Sequence, residues 1–244
     1  MAVFLTSSPT GPLDHSRHVD GLDAKNRFIE QMRVRWPQWA RCLYITADPG
    51  EFERNDEISR DMAGIFSRHG MSVGCFDVLD DRWEAIYAED LFSYQVLILG
   101  GGHVPTQNAF FRRIRLREKL QGYPGLIIGI SAGTMNSADV VYAQPELPGE
   151  SVDPNYVRFM EGLGLTRVNI LPHYQMVREF ELDGRRLFED ITYGDSWGQK
   201  FLALPDGSYL LVEDGRTLVF GEAYLIADGE LRQVCEENNV FPIE

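Results

Sequence analysis

Residues 126–135, Leu-Ile-Ile-Gly-Ile-Ser-Ala-Gly-Thr-Met, hold the side chain best placed for chemistry. An apolar run of strand length stops at Ile130, Ser131 follows at once, and two small residues lead into a segment that can start a helix. This is a G-x-S-x-G sequence, Gly129 to Gly133, in the strand–turn–helix setting that exposes a serine hydroxyl at the top of a sheet. Glycines flank the serine because the turn is sharp and only a residue without Cβ fits such corners cheaply. A hydroxyl there, beside a helix amino terminus, suits attack on a carbonyl and stabilisation of the negative charge that results.

Serine is a poor nucleophile until a base takes its proton, so Ser131 needs a histidine. The chain has five: His15, His18, His69, His103 and His173. His15 and His18 fall in an aperiodic amino-terminal segment, and His69 stands at a helix end beside Gly70. His103 follows a triple glycine. His173 follows a short strand, at the sheet end where open α/β folds place their sites, and position favours it. The histidine in turn needs a carboxylate to fix its tautomer and stabilise the imidazolium. Between Ser131 and His173 the candidates are Asp139, Glu146, Glu150, Asp153 and Glu161, and composition does not choose among them. The oxyanion needs two N–H donors; Ala132, after the serine, offers one and Gly100-Gly101-Gly102 the other.

The elements that must hold these groups are legible from periodicity. Apolar runs at 3–5, 41–47, 71–78, 94–99 and 126–130 read as strands. Between them, Asp23 caps a helix with Phe28, Ile29, Met32 and Trp36 on one face, and Asn55 or Asp56 opens another that Gly70 ends. A short helix is expected from Asp80-Asp81, and Thr106 caps a long one bearing Phe110, Ile114 and Leu120. Continuous apolar strands alternating with helices mean a parallel sheet covered on both faces, so the expected fold is a doubly wound, mostly parallel α/β sandwich of three layers. Residues 183–193 read as a helix. Asp-Gly pairs at 206–207, 214–215 and 228–229 signal hairpins, so antiparallel strands should be added near the carboxyl terminus. With no visible linker or repeat, one domain over residues 1–244 is expected.

A net charge of −14 argues against nucleic acid, whose phosphates ask for a basic face. Three scattered cysteines with no C-x-x-C pair suggest neither metal nor redox chemistry. No apolar run nears the ~20 residues that span a bilayer, and the first residues lack the basic region of a signal peptide. A cytoplasmic enzyme or binding protein without cofactor is expected, as monomer or homodimer.

The triple glycine with its strand (97–102), Gly129-Ile130-Ser131-Ala132-Gly133, Pro172-His173 and Leu204-Pro205-Asp206-Gly207 occur in an order that resembles the peptidase E family. Those are serine peptidases with a fold similar to class I glutamine amidotransferases, and cyanophycinases are relatives. The likeness covers nearly the whole chain. It implies Ser131 as nucleophile, His173 as base, and the N–H groups of Gly102 and Ala132 as oxyanion donors. It places the triad acid before a Leu-Pro element and a Val-Asp-Pro, which here selects Glu146. His103 departs from the Asn common after the triple glycine, so it enters the substrate-binding candidates. The family typically cleaves dipeptides that begin with aspartate, and its arginine in the helix after the histidine suggests Arg185 as the cation for that carboxylate. A small peptide is thus the expected substrate. Two other readings stand beside this one: a general esterase of α/β-hydrolase type, and a non-catalytic ligand binder on the same scaffold. A glutamine amidotransferase is disfavoured because Ser131 stands where that chemistry needs a thiolate.

Overall fold

The computed structural model describes residues 1–10 and 21–243; His15 and His18 lie outside the described residues. The first five major strands are β1 (Ala2–Thr6), β2 (Ala40–Ile45), β3 (Val73–Leu79), β4 (Val96–Leu99) and β5 (Leu126–Ile130). They pair in parallel in the order β1-β5-β4-β2-β3. Their near-continuous apolar runs follow from burial on both faces. Phe4, Tyr44, Ile98 and Ile128 point to one side, where α1 (Phe28–Arg35) and α2 (Phe52–Arg68) supply Phe28, Met32, Ile65 and Phe66. Leu5, Leu43, Leu97 and Ile127 point to the other, onto α3 (Ala88–Phe92), α4 (Val104–Arg113) and α5 (Leu116–Lys119). Helices after β1 and β2 therefore cover one face and those after β3 and β4 the other, the reversal that opens a crevice at the carboxyl ends of neighbouring strands.

After β5 the chain is more irregular. It runs through α6 (Ala132–Met135), the pair β6 (Val140–Tyr142) and β7 (Phe159–Glu161), then β8 (Asn169–Leu171) and α7 (Tyr174–Val177). A hairpin follows, β9 (Glu181–Leu182) and β10 (Arg185–Arg186), then a wide helical segment, Leu187–Thr192, and α8 (Tyr193–Asp195). The last strands are β11 (Lys200–Ala203), β12 (Tyr209–Glu213), β13 (Arg216–Phe220), β14 (Ala223–Ala227), β15 (Glu230–Cys235) and β16 (Val240–Ile243). As expected, antiparallel strands extend the parallel sheet: β12, β13 and β16 continue it beyond β1. The others form a second sheet, β15-β14-β11-β8, in which β8 and β11 run parallel.

Several local expectations differ from the structure: α2 starts at Phe52, ahead of Asn55, and the long helix expected from Thr106 is two, α4 with His103 at its cap and α5, separated by Arg115 at φ 53°. Residues 183–193 begin as a hairpin, because Asp183 and Gly184 both take positive φ, 54° and 76°, and make its turn. No helix starts at Asp80, whose carboxylate instead binds the Arg82 side chain and backbone N–H. Among the Asp-Gly pairs, 214–215 and 228–229 close hairpins, but 206–207 joins β11 to β12, which belong to different sheets.

Candidate active site

Five loops meet at one edge of the fold, each leaving the carboxyl end of a strand: Ser7 after β1, Gly100–Gly102 after β4, Ser131 after β5, His173 after β8 and Asp206 after β11. The elbow at Ser131 is strained, with φ 50° and ψ −109°, a conformation a non-glycine residue holds only when its surroundings over-determine it. Here they do. Ser131 N–H donates to Thr6 O at 3.1 Å, Thr134 Oγ1 to Thr6 O at 2.8 Å, Thr6 Oγ1 to Gly129 O at 2.8 Å, and Gly133 N–H to Gly100 O at 3.0 Å. Gly133 must be glycine, since a Cβ there would run into the Leu99 carbonyl.

His173 Nε2 lies 2.8 Å from Ser131 Oγ, and its Nδ1 lies 2.7 Å from Asp206 Oδ1. A carboxylate only accepts, so Nδ1 carries the hydrogen and Nε2 is left to accept the Ser131 proton. The Asp206 side chain is fully buried. It also accepts from Ser7 Oγ at 2.6 Å and Gln175 Nε2 at 2.6 Å, while Ser7 Oγ accepts from His173 N–H at 2.7 Å. Burial, the largest single influence, pushes the Asp206 carboxyl up. The hydrogen bond and charge of His173, then the bonds from Ser7 and Gln175, outweigh it and hold the group below its ordinary value.

The expected pairing of Glu146 with His173 is therefore corrected: the carboxylate on Nδ1 is Asp206, 33 residues beyond the histidine. Glu146 lies in the loop between β6 and β7, where its own N–H and that of Leu147 donate to Glu150 Oε2, each at 2.9 Å. The residue as a whole is exposed, but its carboxyl is crowded by protein atoms and stands near Glu150, which together push it up to about 8. Asp206 lies outside the stretch between serine and histidine in which the acid is expected. Its signal was present in Leu204-Pro205-Asp206-Gly207, where a turn explains the aspartate equally well. Ser7 and Gln175 carried no signal at all.

Gly102 takes φ 154°, and a Cβ there would lie 2.6 Å from Ala47 Cβ, so only glycine fits. Gly100 O is held by Gln107 Nε2 at 2.7 Å as well as by Gly133 N–H. With the loop fixed this way, the N–H groups of Gly102 and Ala132 have no partner among the described residues. His103 caps α4, its Nδ1 2.8 Å from Thr106 Oγ1 and its Nε2 2.8 Å from Glu150 Oε1. The loop of Glu146 and Glu150 is thereby tied to the residue that follows the triple glycine. Arg185 stands on β10, not on a helix, and is exposed. Its hairpin is tied to the same loop through Asp183, which accepts from Gly149 N–H and from Ser151. Among the described residues no group of three or more His, Cys, Asp or Glu side chains is arranged to hold a metal ion, and no helix is long and apolar enough to cross a membrane.

The fold and this edge define a doubly wound α/β protein with serine, histidine and aspartate hydrogen-bonded in series at its strand ends. The model of peptidase family S51 matches residues 22–220. The chain belongs to that family and is a peptidase of the peptidase E type. Its fold is similar to that of a crystal structure of a candidate peptidase E protein from Listeria monocytogenes EGD-e, at a TM-score of 0.57 and 13% identity, over 96% of this chain and 98% of that one. No curated protein matches the chain.

Proposed function

We propose that the chain is a serine peptidase that hydrolyses small aspartyl peptides, Asp-Xaa dipeptides, through an acyl-enzyme on Ser131. The observation that carries this reading is His173 bridging Ser131 Oγ and Asp206 Oδ1 at 2.8 and 2.7 Å. His173 Nε2 takes the Ser131 proton as Oγ bonds to the scissile carbonyl carbon. The tetrahedral oxyanion is held by the N–H groups of Gly102 and Ala132, and Asp206 stabilises the imidazolium without itself being protonated. His173 then gives its proton to the leaving amine as the C–N bond breaks. A water loses a proton to Nε2, attacks the ester, and restores Ser131 as the acid product leaves. A substrate carboxylate needs a cation; Arg185 on the hairpin beside the Glu150 loop is the candidate, with His103 flanking Gly102.

The test is release of free aspartate from Asp-Xaa dipeptides by the wild type and by Ser131→Ala, together with fluorophosphonate labelling. Turnover and labelling that both vanish in Ser131→Ala are expected. Equal turnover in the two proteins would overturn the serine mechanism, and cleavage of short acyl esters but no peptide would favour the esterase reading.

A further inference from the structure

On the α1–α2 side of the elbow the structure leaves a cavity of about 200 Å3. Its floor and walls are Leu22, Tyr44 and Phe66, all buried, with Ile58 and Met62 of α2 half-buried at its rim. Half-exposed apolar side chains facing a concavity are ready to gain from an apolar guest. The cavity adjoins the serine. Ile130 and Gly101 both line it; Ile130 immediately precedes Ser131, and a Cβ on Gly101 would stand 3.4 Å from Ser131 Cβ. Its remaining wall starts at Ser8, directly after the Ser7 whose hydroxyl holds the His173 backbone.

That placement decides which part of a substrate reaches it. The group leaving Ser131 departs toward the histidine that protonates it, and on that flank the wall is Ser8 and the residue after it, Pro9. Past Gly102, by contrast, His103 and Glu150 bond each other and make a polar surface. We infer that the cavity between α2 and the Ser131 elbow receives an apolar side chain of the residue after the scissile bond, of leucine or phenylalanine size. This deepens the proposed function and rests on Ser131 as nucleophile and His173 as base.

The experiment compares Asp-Leu, Asp-Ala and Asp-Lys, and the same three with alanine as first residue. A kcat/KM about tenfold or more higher for leucine than for alanine or lysine is expected, the range a few methylenes gain in an apolar pocket. In Met62→Trp, which fills the cavity from its rim, the kcat/KM values for leucine and alanine should level to within about twofold. Ile58→Asp, on the same rim, should give the same levelling if the tryptophan variant folds poorly. Equal rates for leucine and alanine, or a preference for lysine, would overturn the inference. If the first residue proves not to be aspartate, the leucine-to-alanine ratio still reads the cavity. If no peptide is turned over, amide NMR shifts at Gly101, Ile130 and Met62 on adding L-leucine but not L-lysine support it, and their absence rejects it.

Discussion

The Asp206 carboxylate meets His173 Nδ1 at 2.7 Å across two chain segments that belong to adjacent parallel strands of the second sheet, β11 and β8. Both side chains sit just past the ends of those strands, so the pairing of Ala203 with Leu171 sets their separation. Ser7, from the other sheet, ties the pair down by bonding Asp206 and the His173 backbone at once.

Replacing each candidate acid separates them. Asp206→Asn should lower kcat by about three to four orders of magnitude, because an amide can donate where only an acceptor holds the productive tautomer. Glu146→Gln should keep kcat within about tenfold, since Glu146 has no bond to His173. Steady-state kinetics on one Asp-Xaa dipeptide checks both; a larger loss in Glu146→Gln than in Asp206→Asn would reverse the assignment.

The strained elbow makes a stability prediction. At φ 50° and ψ −109° a side chain is penalised that glycine escapes. Ser131→Gly should therefore be more stable than Ser131→Ala by about 1 kcal/mol, although alanine is ordinarily the better residue. Urea unfolding of the two inactive variants measures the difference, and a more stable alanine variant would show that the turn is not under strain.

Gly102→Ala should cost about a hundredfold in kcat, as loss of one oxyanion donor does, because its Cβ would lie 2.6 Å from Ala47 Cβ and shift the loop. Adding Ala47→Gly removes that contact and should recover part of the loss. No recovery in the double variant would mean that backbone conformation alone, and not the contact, is responsible.

Acid stability should depend on Asp206. A carboxyl held below its ordinary value in the fold binds its proton more weakly there than in the unfolded chain. Its contribution is complete above the unfolded value, about 4, and is lost as pH falls from there through the depressed folded value. Stability of the wild type should thus fall more steeply below about pH 4 than that of Asp206→Asn, as read from denaturation midpoints across pH 2–6. Parallel curves would count against the depressed carboxyl.

The amino-acid sequence alone determined the parallel core, because strands such as Val96–Leu99, buried on both faces, must be apolar without interruption. It also determined the elbow at Ser131 and the glycine loop, since steep backbone turns restrict residue type within a few positions of where they occur. His173 could be singled out by its place after a strand. What only the tertiary structure decided is which groups converge on that histidine. The acid came from Asp206 and not Glu146, and the support from Ser7, 166 residues away from the histidine it holds. Local pattern reports a residue's own backbone environment. Long-range pairing is set by how two sheets pack, and an aspartate that makes a turn looks the same in sequence as one that also orients an imidazole.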